Sequence, residues 1–132
     1  MKYMSEQELK LLIPASEVEV KAALDYIINF ANDLPGFKGR GVDGGYMKAY
    51  GYLVDGQDPT QRPFDFAVNK GSIKCYIRSN GIKRLRAEGR VRITSAFPDA
   101  TFKNGELRID LFDAGEAERL LECLFPAAKT QA

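Results

Sequence analysis

The sequence of 132 residues contains no histidine and only two cysteines, Cys75 and Cys123. Without histidine, a Ser-His-Asp or Cys-His nucleophile is impossible, and so is a histidine-ligated zinc, iron or copper site. Two cysteines alone complete neither a structural zinc tetrahedron nor a disulfide framework. We therefore expect two reduced, buried thiols and no cofactor or metal. Any remaining chemistry would rest on carboxylates, lysine, tyrosine or an oxygen-ligated metal, and we expect a binding module more than an enzyme.

Long apolar runs are also missing, since no stretch approaches the roughly 18 consecutive apolar residues of a membrane span. The first residues, "MKYMSEQELKLLIP", turn polar after Lys2 and do not resemble a secretory signal. We therefore expect a cytoplasmic protein without a membrane anchor. The length predicts a single domain over residues 1–132, with 126–132 as a frayed tail.

Positive charge is concentrated in the middle of the chain, although the net charge is only +1. Residues 34–92 carry 12 lysines and arginines against 5 acids, while the segments on either side are each acidic by three charges. Eight of these bases lie within residues 70–92, where Glu88 is the single acid. The total charge therefore hides a basic centre between acidic ends.

Two helices are predicted from capping residues and apolar spacing. Ser16 and Glu19 fit a capping box for a helix that Pro35 follows, and Asp113 with Glu116 fits the start of a C-terminal helix. Residues 5–13 are compatible with a short helix capped at Ser5 and equally with a strand.

Strands are predicted where apolar residues alternate with polar ones. The segments 46–53, 64–69, 73–78 and 90–94 show this period of two, and Asn104-Gly105 is typical of a hairpin turn. The predicted fold is therefore α+β: a four- to five-stranded, mostly antiparallel meander sheet, with an N-terminal and a C-terminal helix packed on one face.

The basic centre falls on this predicted sheet and suggests a surface for DNA or RNA. Lysine and arginine neutralise phosphates and release counterions, and an aromatic ring stacks on a base. The strands would place Lys74, Tyr76, Arg78, Arg90 and Arg92 on the solvent side, with Lys83, Arg84 and Arg86 in the connection between them. A second surface of Tyr46, Lys48, Tyr50 and Tyr52 would extend it.

Three other interpretations remain open for the same residues. An antiparallel sheet with one wet face needs polar side chains there in any case, and bases discourage aggregation through sheet edges. A second possibility is an interaction or regulatory domain whose partner is an acidic protein, for which the bases give specificity and fast association. A third is a small enzyme or small-molecule binder that uses the glycine-rich segment 36–56 and Asp65.

Two motifs within that third interpretation are weak. "GRGVDG", residues 39–44, matches G-x-G-x-x-G, but a helix precedes it and no helix is predicted to open at its end, as a dinucleotide site requires. Asp65 and Lys74 approach a metal-dependent nuclease pattern, but Ser72 stands where a second acid is needed. Neither motif predicts a site.

Overall fold

The computed structural model describes residues 2–126, which form a seven-stranded antiparallel sheet and four helices. The strands are β1 (Lys2–Met4), β2 (Phe37–Asp43), β3 (Lys48–Val54), β4 (Phe64–Asn69), β5 (Ser72–Ile77), β6 (Thr101–Lys103) and β7 (Glu106–Leu111). The helices are α1 (Glu6–Leu11), α2 (Val18–Asn32), α3 (Ser79–Ala96) and α4 (Ala114–Leu124). The order across the sheet is β1-β2-β3-β4-β5-β7-β6. The α+β class and the antiparallel sheet are confirmed, while the predicted four or five strands are too few.

Two hairpins form where the sequence predicts them. Strands β4 and β5 pair across a tight turn in which Gly71 has a φ of 83°. Strands β6 and β7 pair across Asn104 and Gly105, whose φ values are 54° and 76°. A type I′ turn requires positive φ at both central residues, which explains the Asn-Gly sequence at this position.

Local caps start two of the helices. The hydroxyl of Ser5 accepts a hydrogen bond from the Glu8 amide at 3.0 Å, and the Glu8 carboxylate accepts one from the Ser5 amide at 3.1 Å. This capping box begins α1 and resolves the open choice for residues 5–13 in favour of a helix. At α4, the Asp113 carboxylate accepts from the Glu116 amide at 2.8 Å, as predicted.

Helix α2 lacks the predicted cap. It begins at Val18 after Glu17, and no side chain caps its first turn, so the capping box at Ser16 and Glu19 is wrong. The Glu17 amide instead donates to the Pro14 carbonyl at 2.9 Å, which makes a turn that leaves Ser16 ahead of the helix. Helix α2 packs on the core through its buried apolar residues, and it forms without a side-chain cap.

One face of the sheet, the inner face, lies under the helices and forms the core. Tyr50, Phe66, Cys75 and Ile109 are aligned across β3, β4, β5 and β7, and each is at least 97% buried. Helices α2, α3 and α4 contribute the buried residues that pack against this row. Helices packed on one side of the sheet are the layer arrangement that the alternating strands favour, although Ala49, Asp65 and Ala67 on the outer side of β3 and β4 are also buried.

The predicted surface of Tyr46, Lys48, Tyr50 and Tyr52 does not form. Tyr50 and Tyr52 point to the inner face, where burial raises the pKa of Tyr50 to about 12 and the Tyr52 hydroxyl donates to the Ile27 carbonyl at 2.6 Å. Tyr46 lies outside the strand and is fully exposed. Tyrosine suits either side of a sheet, since its ring is apolar and its hydroxyl polar, so the alternation did not identify the buried face.

The glycine-rich segment contains a strand that the sequence did not predict. Strand β2 pairs with β3 along its whole length and includes Gly39 and Gly41. A Cβ atom at Gly39 would overlap the ring of Tyr50, and one at Gly41 would overlap the backbone of Met4. Glycine at these positions therefore lets a tyrosine and a neighbouring strand approach closely, rather than making a flexible loop.

The predicted strand at residues 90–94 is wrong, because this segment lies in helix α3. Leu85, Gly89 and Ile93 are buried at intervals of four residues and face the core, with Phe97 following the helix end. Arg90, Arg92 and Thr94 alternate with apolar residues and match a strand equally well over five positions. The contacts of α3 with α4, β5 and β7 decide in favour of the helix.

Other expectations concern the thiols, the membrane and the tail. Cys75 is buried and Cys123 partly buried, and both are free thiols. Burial raises the pKa of the Cys75 thiol well above its usual value. Within residues 2–126, no helix has both the length and the apolar character needed to cross a membrane. The predicted frayed tail lies outside the described residues, except for Pro126.

Replacing Tyr52 with phenylalanine should destabilise the protein by about 1 kcal/mol, because the buried hydroxyl loses its hydrogen bond to Ile27. Urea unfolding monitored by circular dichroism measures this loss. Tyr46→Phe is the matched control, since its exposed hydroxyl should contribute nothing. Equal stabilities of the two variants would contradict a role for the buried bond.

Candidate nucleic-acid interface

The eight predicted site residues divide between two places in the fold. Lys74, Tyr76 and Arg78 are half-buried on or next to β5, on the face of the sheet opposite the helices, which we call the outer face. The other five belong to helix α3, on the inner side of the sheet: Lys83, Arg84, Arg86, Arg90 and Arg92. The sheet therefore separates the two groups, and they do not make one surface.

The centre of the outer face is a buried carboxylate. Asp65 on β4 has no solvent exposure and accepts hydrogen bonds from the Arg62 Nε at 2.8 Å and the Arg78 Nη2 at 3.0 Å. Arg78 also donates to Glu106 on β7 through Nη1. Burial opposes the charge of Arg78, but its hydrogen bonds to Glu106 and Asp65 outweigh that effect and raise the pKa of the guanidinium. Arg78 is therefore part of an internal ion-pair network.

The other two outer-face residues are engaged in a similar way. The Tyr76 ring lies 5.1 Å from the guanidinium carbon of Arg78 and 5.3 Å from that of Arg108. The Lys74 Nζ lies 3.8 Å from an oxygen of Asp110. Arginine over an aromatic face is a favourable contact, and it occupies the surface that base stacking would need. The part of the outer face formed by β4, β5 and β7 is thus a neutralised polar surface, and its predicted cations Lys74 and Arg78 are paired with carboxylates.

A recess of about 350 Å³ adjoins this network at the start of α3. It is lined by Thr60, Gln61, Arg62, Asp65, Arg78, Ser79, Asn80, Asn104 and Glu106. Its two guanidinium groups are matched by two carboxylates, so the recess has no net charge to offer an anion. The proposed use of Asp65 by a small enzyme or small-molecule binder loses support here, because both carboxylate oxygens are already hydrogen-bonded.

Helix α3 differs from the outer face because its bases are exposed and unpaired. Lys83, Arg84, Arg86, Arg90 and Arg92 are all exposed, and Glu88 is the one acid in the helix. Within residues 2–126, no carboxylate lies within 4 Å of any of these five charges. No acid of the described residues therefore neutralises the positive charge of α3.

Aromatic rings and a carbonyl hold three of these side chains against the protein. The guanidinium carbon of Arg84 lies 5.4 Å from the Phe37 ring, and that of Arg90 lies 5.6 Å from the Phe102 ring. Arg92 donates from Nη2 to the Cys123 carbonyl at 3.3 Å, near the negative end of the α4 dipole. These contacts fix the side chains without neutralising them by an acid.

Helical geometry also separates Arg90 from Arg92. In a strand, residues two apart share a face, whereas in a helix they are about 200° apart. Arg90 accordingly extends towards Phe102 on β6, and Arg92 towards α4. The exposed Val91 lies between them on the solvent side of the helix. The bases therefore surround the exposed half of α3 instead of forming a row.

Besides Asp65, which was considered only for a small enzyme or binder, four residues of the outer-face network were absent from the predicted site: Arg62, Glu106, Arg108 and Asp110. Arg108 and Asp110 alternate with buried residues on β7, so the period of two indicates that they face outward. Their partners depend on the strand register, which residues so distant in the chain do not reveal. Arg62 precedes β4 in an irregular segment that carries no comparable signal.

The remaining motifs do not form a site. "GRGVDG" lies mostly in strand β2, and the strand that follows it excludes a helix N-terminus for a dinucleotide phosphate. Among the described residues, no group of three or more carboxylate or thiol side chains is arranged to hold a metal ion. No protein-family model, curated protein or solved structure matches this chain.

Asp65→Asn should destabilise the protein by about 3 kcal/mol, because it leaves the largely buried Arg62 and Arg78 facing a neutral amide. Chemical denaturation measures the difference. Asp110→Asn is the matched control, since this exposed acid makes a long contact with Lys74 and should change stability by less than about 0.5 kcal/mol. Similar small effects of both substitutions would show that the buried charge is dispensable.

Proposed function

We propose that the protein is a non-enzymatic module that binds DNA or RNA through helix α3. The observation that carries the proposal is the contrast between two sets of bases. The predicted bases of the outer face, Lys74 and Arg78, are paired with carboxylates, whereas those of α3 are exposed and have no acidic partner among residues 2–126. Only the second set is available to neutralise phosphates without first breaking an ion pair.

The proposed binding surface is therefore helix α3 and not the sheet. The proposed ligand is still DNA or RNA, as the charge pattern of the sequence suggested. Five bases and one acid within 18 residues make a strongly positive local field. The long side chains extend from both flanks of the helix, which suits a phosphate backbone that passes on either side. Contacts of this kind give affinity without sequence preference, so we expect weak discrimination between base sequences.

Replacing Lys83, Arg84 and Arg90 together by alanine should greatly weaken binding to labelled oligonucleotides. Each lost phosphate contact should reduce the slope of log affinity against log salt by about 0.9 for duplex DNA. Fluorescence anisotropy between about 50 and 200 mM salt, with single-stranded DNA, duplex DNA and RNA, measures both quantities.

Lys2, Lys38 and Lys70 provide the matched control. They are exposed, lie on strands or turns away from α3, and their replacement by alanine removes the same net charge. If both triple variants lose affinity equally, overall charge and not α3 is responsible. If the wild-type protein binds none of the oligonucleotides at the lower salt, the proposed function is wrong.

A second candidate, binding of an acidic protein, is favoured by apolar exposure beside the bases. Val91 is 62% exposed, and Phe102, which lies against Arg90, is 58% exposed. An exposed valine next to arginines is typical of a protein interface and makes no phosphate contact, whereas the Phe102 ring suits either ligand, since it can also stack on a base.

Val91→Ser separates the two candidates, because it removes an apolar side chain and leaves every charge in place. With a nucleic acid as ligand, the variant should bind oligonucleotides as the wild type does. An acidic protein partner predicts the opposite pattern: no oligonucleotide binding, and binding to a peptide of alternating glutamate and leucine that weakens in Val91→Ser. Isothermal titration with both probes distinguishes these results.

A further inference from the structure

Helix α3 contains a residue in a strained backbone conformation. Arg86 has φ 59° and ψ −176°, which interrupts the helix between two regular segments. This region of backbone space is accessible almost exclusively to glycine, because a Cβ atom is crowded there. Among residues 2–126, Asn104 is the other non-glycine residue with positive φ, and it occupies a hairpin turn that accepts asparagine readily.

Packing explains the interruption of the helix. Leu85 before the break and Gly89 after it are both buried, and a Cβ atom at Gly89 would lie only 2.9 Å from the Leu85 Cβ. The break lets both segments of α3 direct their buried residues, which end with Ile93, towards the same core. In an uninterrupted helix, residues four positions apart point in directions that differ by about 40°. Leu85, Gly89 and Ile93 would then turn progressively away from a common face.

Packing does not explain why the residue at the break, Arg86, is an arginine. The Arg86 side chain is exposed and contributes nothing to the core, and glycine would adopt the same backbone without strain. Arg86 is strained, its exposed charge has no acidic partner among residues 2–126, and it lies at the middle of the basic helix, which indicates that its side chain serves another purpose.

Resting on the proposed function, we propose that Arg86 is a phosphate-contacting residue of the α3 interface. The backbone of Arg86 is not helical. The residue lies between Lys83 and Arg84 on the first segment of α3 and Arg90 on the second. A guanidinium at this position donates two parallel hydrogen bonds to one phosphate, which a lysine ammonium does not do. Arg86 would then join the phosphate contacts of the two segments into one continuous binding surface.

Arg86→Gly and Arg86→Ala test this assignment as a pair, because they remove the same side-chain charge and differ in backbone strain. Both should weaken binding to single-stranded DNA, duplex DNA or RNA by about tenfold at low salt, the effect of one charge-assisted hydrogen bond. The oligonucleotide affinity of Arg86→Lys should lie between the affinities of these two variants and that of the wild type. Thermal unfolding should show a higher Tm for Arg86→Gly than for Arg86→Ala, by roughly 3 °C.

The outcomes separate this inference from the proposed function. If Arg86→Gly and Arg86→Ala bind like the wild type while the Lys83, Arg84 and Arg90 triple variant does not, Arg86 is no contact and the function stands. If the wild-type protein binds no oligonucleotide, both proposals are wrong. If Arg86→Gly is no more stable than Arg86→Ala, the strain that motivates the assignment is absent. Weaker binding together with the higher Tm of the glycine variant supports it.

Discussion

The fully buried carboxylate of Asp65 is the constraint around which the outer face is organised. A desolvated charge is strongly unfavourable unless donors surround it, and Arg62 and Arg78 supply those donors on both oxygens. Arg78 also bonds to Glu106 and occupies the position before the first turn of α3. One network therefore joins the segment before β4, strand β4, the start of α3 and strand β7. Arg62 and Arg78 therefore stabilise the fold, because their positive charges are paired with the buried carboxylate of Asp65.

Elements whose stabilising contacts lie within a few residues were predictable from the sequence. The Asn104-Gly105 turn and the Asp113 cap are of this kind, because each is completed by atoms no more than four positions away. Local signals were not always sufficient, since the sequence left the Ser5 cap open and the equally local capping box at Ser16 and Glu19 did not form. Helix α3 is the opposite case. The order Arg-Val-Arg-Ile-Thr satisfies a strand locally, and only the packing of its buried residues against distant elements selects the helix.

The candidate site was predictable as a stretch of sequence but not as a surface. The excess of bases is visible from composition alone, whereas the pairing of each base depends on register and distance in space. Arg78 and Glu106 are 28 positions apart in the chain, and nothing local links them. Whether a segment is a strand or a helix then decides which bases share a face. Because residues 90–94 are helical, Arg90 and Arg92 point to opposite flanks of α3.

A folded sequence normally agrees with its structure at every level, and conflicts between the two concentrate where function requires them. Around Asp65 the outer face shows little conflict of this kind, since Arg62 and Arg78 are paired with carboxylates, although the buried Nε of Arg108 has no hydrogen-bond partner among residues 2–126. Helix α3 contains two conflicts: five bases against a single acid on one helix, and a non-glycine residue in a region of backbone space that suits glycine. Like charges close together on a helix disfavour it, and the strain at Arg86 adds to this effect. The fold alone gives no reason for either, whereas a negatively charged ligand would remove the repulsion and use the strained residue. For that reason we propose α3, and not the outer face, as the binding surface.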